Sequence, residues 1–265
     1  MRKFLWLAIA GTGISISSIA QDSTTIAKDS VTITTITPAV PTTTPKKDWT
    51  KVNLGNRAND HFMIQFGLDG WAGAPDSINI SGFSRHFNFY LMYDKPFKTA
   101  PRLSVAAGVG LGTSSIFFEK TNIDIAGKTG ASQIRFINAT SNYFKKYKLN
   151  TTWVEVPIEL RFVSDPLHSG KSWKMAIGAK IGTMIESHTK GKNLVGASDN
   201  SLYGTKYVEK EKSKKYFNST RLAATMRAGY GPVTIYGAYQ VTNLFKEAAG
   251  PTAHPYSIGL CLSGL

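Results

Sequence analysis

The feature that most constrains this chain is a period of two. From residue 61 onward, eight segments alternate large apolar side chains with small or polar ones, near 61–71, 83–94, 102–116, 151–163, 173–186, 219–230, 232–241 and 254–263. In the third, Leu103, Val105, Ala107, Val109 and Leu111 alternate with Ser104, Ala106, Gly108, Gly110 and Gly112. In the fourth, Val154, Val156, Ile158, Leu160 and Phe162 oppose Trp153, Glu155, Pro157, Glu159 and Arg161. Strict alternation places the two sets on opposite faces of a β-strand. A tilted strand crosses a bilayer in ~9–11 residues, and each apolar face reaches that length. The opposite faces, rich in Gly, Ser and Ala, suit the cramped interior of an eight-stranded barrel.

A soluble β-sandwich alternates as well, and two features separate it from a membrane barrel. Aromatic residues sit at strand ends (Trp71, Tyr93, Trp153, Trp173, Tyr230, Tyr239, Tyr256), where interfacial girdles are expected. The connections, 72–82, 94–101, 117–150, 164–172, 187–218, 230–232 and 242–253, also alternate in length. Short turns on one side and longer loops on the other are the pattern of outer-membrane barrels. Pro96, Pro166 and Pro232 fall in or beside the short turns, whereas Pro157 lies inside a strand and is expected to mark a bulge. The expected fold is therefore all-β: an eight-stranded antiparallel up-and-down transmembrane β-barrel over 60–265.

The first residues supply a compartment. Arg2 and Lys3 precede the apolar run Phe4–Ala10, and Ser18-Ile19-Ala20 ends the segment in small residues, the layout of a signal peptide at 1–20. Residues 21–59 repeat Thr with Pro38, Pro41 and Pro45 and hold no period, which reads as a disordered periplasmic linker. The expected location is the outer membrane, with a periplasmic N-terminus.

Charge is the second constraint. The chain carries 31 Lys+Arg against 17 Asp+Glu, a formal +14, while only 18% of its residues are charged. A single cysteine excludes a disulfide scaffold. Much of the surplus falls in two long connections. Lys120, Lys128, Arg135, Lys145, Lys146 and Lys148 face Glu119 and Asp124 in the first; Lys190, Lys192, Lys206, Lys210, Lys212, Lys214 and Lys215 outnumber Asp199, Glu209 and Glu211 in the second. No nucleic acid is expected at a cell surface. Outer-membrane lipid and lipopolysaccharide are the nearest polyanionic partners, with Lys145, Lys146, Lys148, Lys212, Lys214 and Lys215 as candidate contacts. Solvated loops account for the same charge equally well.

The run WVEVPIELRF (153–162), the segment GAYQVTNLF (237–245) and the closing PYSIGLCLSGL (255–265) resemble the PorT-type outer-membrane β-barrel proteins of Bacteroidota. The resemblance spans about 60–265 and includes the turn at Asp94-Lys95-Pro96. It implies a barrel without a catalytic signature, and an envelope or secretion-system protein as a partner.

Inward-facing charges are the remaining candidates for chemistry: Glu155, Glu159, Arg161, Lys174, Lys180, Arg221 and Arg227. Unpaired charges in a narrow barrel are costly, so Glu155 and Glu159 are expected to pair with Lys180 and Arg227 as an internal plug. Glu155 and Glu159 are separated by about 13 Å along a strand, too far for a glycosidase pair. Ser84 and His86 share a face, and the pattern shows no acidic partner for them. Cys261 reads as a small inward filler. The chain is expected to be non-enzymatic, without cofactor or metal, with a structural, surface-interaction or secretion-accessory role. A small-solute channel is the alternative, and a lipid-modifying barrel enzyme a weaker one.

Overall fold

The structure, a computed structural model, describes residues 61–264 apart from Thr129 and Thr140. The expected signal peptide (1–20) and linker (21–59) lie outside the described residues. The strands are β1 (Phe62–Ala72), β2 (Arg85–Pro96), β3 (Leu103–Phe118), β4 (Thr121–Asp124), β5 (Arg135–Asn138), β6 (Tyr143–Val163), β7 (Trp173–Val195), β8 (Val208–Lys212), β9 (Thr220–Tyr230), β10 (Val233–Gln240) and β11 (His254–Ser263). Eight of them close on themselves in the order β1-β2-β3-β6-β7-β9-β10-β11 and back to β1, every pair antiparallel. The chain is an all-β, eight-stranded up-and-down barrel.

The connections 97–102, 164–172 and 231–232 share one end, here the turn end, with residues 61 and 264. Connections 73–84, 119–142, 196–219 and 241–253 share the other, the loop end. Two of these are more structured than their sequences suggest. β6 runs for 21 residues and β7 for 23, so both continue well beyond the segments 151–163 and 173–186. The extensions are polar, as in Lys145–Asn150 and Glu186–Lys192, and the ladder of backbone hydrogen bonds needs no apolar face. Hydrophobic alternation therefore did not reveal them. β8 pairs with the β7 extension, and β4 and β5 form a separate hairpin.

The apolar alternate residues face outward. Trp173, Met226 and Ile235 are more than 60% exposed, and Phe87, Leu111, Ile158, Ile181 and Ile258 are exposed beside them. Together they make a belt around all eight strands, far beyond the scattered apolar residues of an ordinary protein surface. The interior has two zones. Toward the turn end and the middle it is polar, with Glu155, Glu159, Arg161, Lys174, Lys180 and Arg227 all buried. Toward the loop end it is an apolar cap in which Ile116, Phe118, Ile123, Ile125, Leu149, Phe217 and Phe245 pack together.

Two of the expected girdle aromatics belong to this cap. Trp71 and Trp153 are 8% and 1% exposed, because each stands on the inward parity of its strand, with Asp69 and Glu155 respectively. Tyr93, Trp173, Tyr230, Tyr239 and Tyr256 do face outward. Pro157 produces no bulge. The β3–β6 register is the same on either side of it, although pairing lapses between Ile158 and Glu155. The irregularity lies instead between Thr152 and Trp153, opposite an extra residue, Ile185, in β7.

The seam where β1 meets β11 depends on two glycines. Gly67 and Gly259 are direct partners, flanked in register by His86 on β2 and Tyr236 on β10. A Cβ on either glycine would collide with backbone of the facing strand, so the close approach of the strands requires both. The variant Gly67→Val is expected to lose most of the folded, heat-modifiable species in a detergent-refolding assay read by electrophoresis. A yield equal to that of the wild type would show that the seam tolerates a side chain.

Candidate functional site

The polar lumen is assembled by cross-strand rows in which large side chains alternate with glycine or alanine. In the first row, His86, Gly67, Gly259 and Tyr236 follow one another across β2, β1, β11 and β10. The glycines leave the space over which His86 and Tyr236 reach each other, with Tyr236 Oη on His86 Nε2. His86 Nδ1 lies 2.6 Å from Asp69 Oδ1. Asp69 also accepts hydrogen bonds from Ser114 and, at 2.6 Å, from Ser257, its register partner on β11. An ionised Asp69 can only accept, so His86 Nδ1 carries the proton between them, and Nε2 meets the Tyr236 hydroxyl.

Asp69 is thus the acidic partner that the pattern around Ser84 and His86 did not show. It stands 17 residues away, and only the β1–β2 register brings it alongside. Ser84 takes no part: its hydroxyl donates to the Ser81 carbonyl and accepts from the Phe117 amide.

The second row reads Tyr90, Gly110, Glu155, Gly182 and Arg221 across β2, β3, β6, β7 and β9. Tyr90 donates to Glu155 Oε2 at 2.5 Å, and Lys180 Nζ lies 3.4 Å from the same oxygen. Arg221 forms an ion pair with Glu155 Oε1 and lays its guanidinium over Trp153, 4.6 Å from the ring centre. That stacking joins the polar lumen to the apolar cap. Three inward positions further toward the turn end, Arg161, Ala176 and Arg227 share a row, and both guanidinium groups reach Glu159, at 2.8 and 3.1 Å. Asp94 lies 3.8 Å from Arg161. Glu155 therefore meets Lys180, and Glu159 meets Arg227; Asp94 is the member that sequence reasoning did not place, and Arg221, read as inward, was given no partner there. Cys261 is fully buried among Met63, Tyr90 and Tyr236.

These rows fill the interior. The cavity lined by Asp69, His86, Asn88, Lys180, Arg221 and Gln240 measures about 20 Å³. A water molecule needs roughly 10–15 Å³ on this measure, so the space holds one. No group of His, Cys, Asp and Glu among the described residues could hold a metal ion.

The second candidate surface lies outside, on the extensions of β6 and β7. Lys146 and Lys192 are direct cross-strand partners, as are Lys148 and Lys190. Phe117 on β3 pairs with Lys148, and Arg85 on β2 lies over the Phe117 ring, 5.4 Å from its centre. Arg85, Phe117 and these four lysines line one groove of about 260 Å³. Lys148 donates to Ser115 at 3.2 Å. Burial, followed by Lys190, Arg85 and Lys192, holds its ammonium below the usual lysine range.

The other candidate lysines are dispersed. Lys145 pairs with Asp199 at 3.5 Å, and Lys212 with Glu186 at 3.1 Å. Lys214 donates to the Met184 carbonyl at 3.4 Å, and Lys215 lies over the Tyr216 ring. Arg85, Lys190 and Lys192 were absent from the sequence-based set; the alternation of β7 below its irregularity would have placed the two lysines inward. No protein-family model matches the chain, and no curated protein matches it in sequence.

Glu155 compensates both Arg221 and Lys180, so its removal leaves buried cations uncompensated. Glu155→Ala is expected to cost about 3–5 kcal/mol of unfolding free energy, measured by urea titration in lipid vesicles. Arg221→Ala combined with it should recover part of that loss. A single variant within about 0.5 kcal/mol of wild type, the range of an ordinary surface change, would show that the pair is not the lumen's anchor.

Proposed function

We propose that the chain is an outer-membrane β-barrel that closes its lumen to solutes and acts, without catalysing a reaction, through the surface of its loop end. The observation that carries this reading is the inversion of the molecule: an apolar belt outside and paired charges inside. In water the belt would be a large cost. In hydrocarbon it is the favourable face, and closure leaves no strand edge with unpaired backbone groups. The aromatic side chains of Tyr93, Trp173, Tyr230, Tyr239 and Tyr256 lie at strand ends and outward, as interfacial anchors do. In this orientation the turn end, from which residues 21–59 would extend, faces the periplasm.

The filled interior speaks against a solute channel. An eight-stranded barrel is just wide enough to be filled by side chains, and here both carboxylate rows and the apolar cap cross it. The Asp69–His86–Tyr236 chain speaks against a hydrolase. The hydroxyls of Ser114 and Ser257 donate to Asp69, leaving His86 Nε2 to a tyrosine. The adjoining space admits a single water and no substrate. The family reading that accompanies this proposal is the PorT-type one, with an envelope or secretion-system protein met through residues 21–59. Crosslinking from that segment in cells, followed by capture, is expected to return an envelope protein that a chain lacking 21–59 does not.

Purified full-length chain is expected to show a heat-modifiable shift on electrophoresis and no steady conductance in a planar bilayer. A stable open channel would overturn the closed-lumen reading, and a chain that stays in the aqueous phase would overturn the membrane reading.

A further inference from the structure

Like charges placed directly opposite on neighbouring strands repel, and sheets ordinarily avoid the arrangement. This barrel does it with Lys148 against Lys190 and Lys146 against Lys192, sets Lys210 of β8 against Lys190 as well, and adds Arg85 to the same groove. The other outward lysines near it have carboxylates: Lys210 and Lys212 lie 3.6 and 3.1 Å from Glu186. Among the described residues, none of Arg85, Lys146, Lys148, Lys190 and Lys192 has one within ion-pair distance. Glu209 and Glu211, on the adjacent β8, line a separate cavity with Ile123, Phe144, Tyr147 and Thr189 instead, where Glu211 holds Lys128 at 2.9 Å. The groove is therefore a concentration of cations whose counter-charge must come from outside the described residues.

Its position says what kind of anion. On β2 and in the connection just before it, the exposed residues toward the loop end run Phe87, Arg85, Phe83, and the two phenylalanines are 52% and 67% exposed. The lowest cation therefore sits at the upper edge of the apolar belt, with an exposed aromatic on either side. On β3 the last large belt residue is Leu111, and Phe117, the register partner of Lys148, is six residues further on. At ~3.3 Å per residue and a strand tilt near 45°, Lys148 stands about 14 Å above Leu111. The cations thus climb from the belt edge through the depth of a headgroup layer. A soluble anion has no use for the exposed phenylalanines below, and an embedded acyl chain has no use for the lysines above. A molecule with both parts uses the whole surface.

We propose that the groove formed by Arg85, Lys146, Lys148, Lys190 and Lys192 binds the phosphorylated headgroup of an outer-leaflet glycolipid, whose acyl chains lie on Phe87 and the belt beneath. This rests on the membrane reading above. It also relocates the lipopolysaccharide contact: Lys146 and Lys148 remain in it, Arg85, Lys190 and Lys192 join, and Lys145, Lys212, Lys214 and Lys215 leave it. The repulsion within the groove then becomes a source of selectivity. The empty groove is strained by like charge, and a multiply phosphorylated ligand relieves it where a zwitterionic headgroup does not.

The test uses full-length chain reconstituted in phosphatidylcholine nanodiscs, with lipopolysaccharide as the probe and its enzymatically dephosphorylated form as the comparison. Wild type is expected to retain the phosphorylated form and to lose it as salt rises. The variant K146Q/K148Q/K190Q/K192Q should bind at least about tenfold more weakly, since each basic residue near an anionic surface contributes roughly fivefold. K214Q/K215Q should bind as wild type does. In phosphatidylcholine alone the quadruple variant should unfold at the same urea concentration as wild type or a higher one, because repulsion has been removed. If the quadruple variant does not refold, K148Q/K190Q carries the same expectation with a smaller loss.

Undiminished binding by the quadruple variant, or equal retention of the dephosphorylated glycolipid, would overturn the proposal. Inorganic pyrophosphate binding as tightly as the glycolipid would make this a free-phosphate site, and preferential capture of an acidic peptide a protein-docking one. A chain that inserts and shows heat modifiability yet binds no glycolipid defeats this inference alone. A chain that does not insert defeats the membrane reading.

Discussion

The barrel depends on the closure between β1 and β11. Every other strand pair is joined by one connection of modest sequence distance, but this pair brings residue 63 to residue 263. Such a contact carries the largest loop-closure cost in the fold and forms with least local help. Its two partners at the critical row are glycines, Gly67 and Gly259, which allow the strands to approach and the barrel to curve. The absence of side chains there is used at once, because His86 and Tyr236 reach over the gap from the strands on either side. Asp69 and Ser257, partners across the same seam, add a hydrogen bond within it. Closure is thus made by small residues and locked by large polar ones.

The same device organises the rest of the lumen. Gly110 and Gly182 separate Tyr90, Glu155 and Arg221, and Ala176 separates Arg161 from Arg227. A narrow interior cannot take long side chains at adjacent positions, so each row interleaves them with residues that have little or no side chain. The inward charges then nearly balance, with Asp69, Asp94, Glu155 and Glu159 against Arg161, Lys174, Lys180, Arg221 and Arg227. Each carboxylate lies beside a positively charged or protonatable group. Such ion pairs add less to stability than their number suggests, because desolvation offsets much of the attraction. Their firmer consequence is that any one deletion is expensive, which fixes the register of the strands that carry them.

What the sequence made legible follows from this. Strand positions, strand count and the inward set from Glu155 to Arg227 could be read because alternation is a property of single segments. The identity of partners could be read only where chemistry left few choices, as for Glu155 with Lys180 and Glu159 with Arg227. The pairing of Arg221 with Glu155, of Asp94 with Arg161 and of Asp69 with His86 was invisible, because it depends on register between strands that no single segment encodes. Trp71 and Trp153 were legible by parity; their place at strand ends suggested a girdle, and parity decided otherwise. The long connections failed for a different reason. Their strands are polar on the outward face, and a search for apolar alternation treats a polar strand as a loop.

The bulge in β7 shows how much follows from one residue. Up to Ile185, the odd-numbered residues Ile177, Ile181 and Ile185 face outward, and Lys180 and Met184 face in. The extra residue at Ile185 reverses that parity, so that Ser187, Thr189 and Gly191 turn inward and Glu186, Lys190 and Lys192 turn outward. β6 has no such reversal, and Lys146 and Lys148 keep the outward parity of Val154 and Val156. A regular β7 would have directed Lys190 and Lys192 into the apolar cap, where an unpaired ammonium is prohibitively costly. A slip of one residue exchanges the two faces of a strand, and here a single inserted position does so midway along its length. Below the bulge, β7 supplies apolar residues to the belt and Lys180 to Glu155. Above it, the same strand supplies small residues to the cap and lysines to the groove. The opposed cations are therefore a consequence of backbone geometry that the cap itself requires.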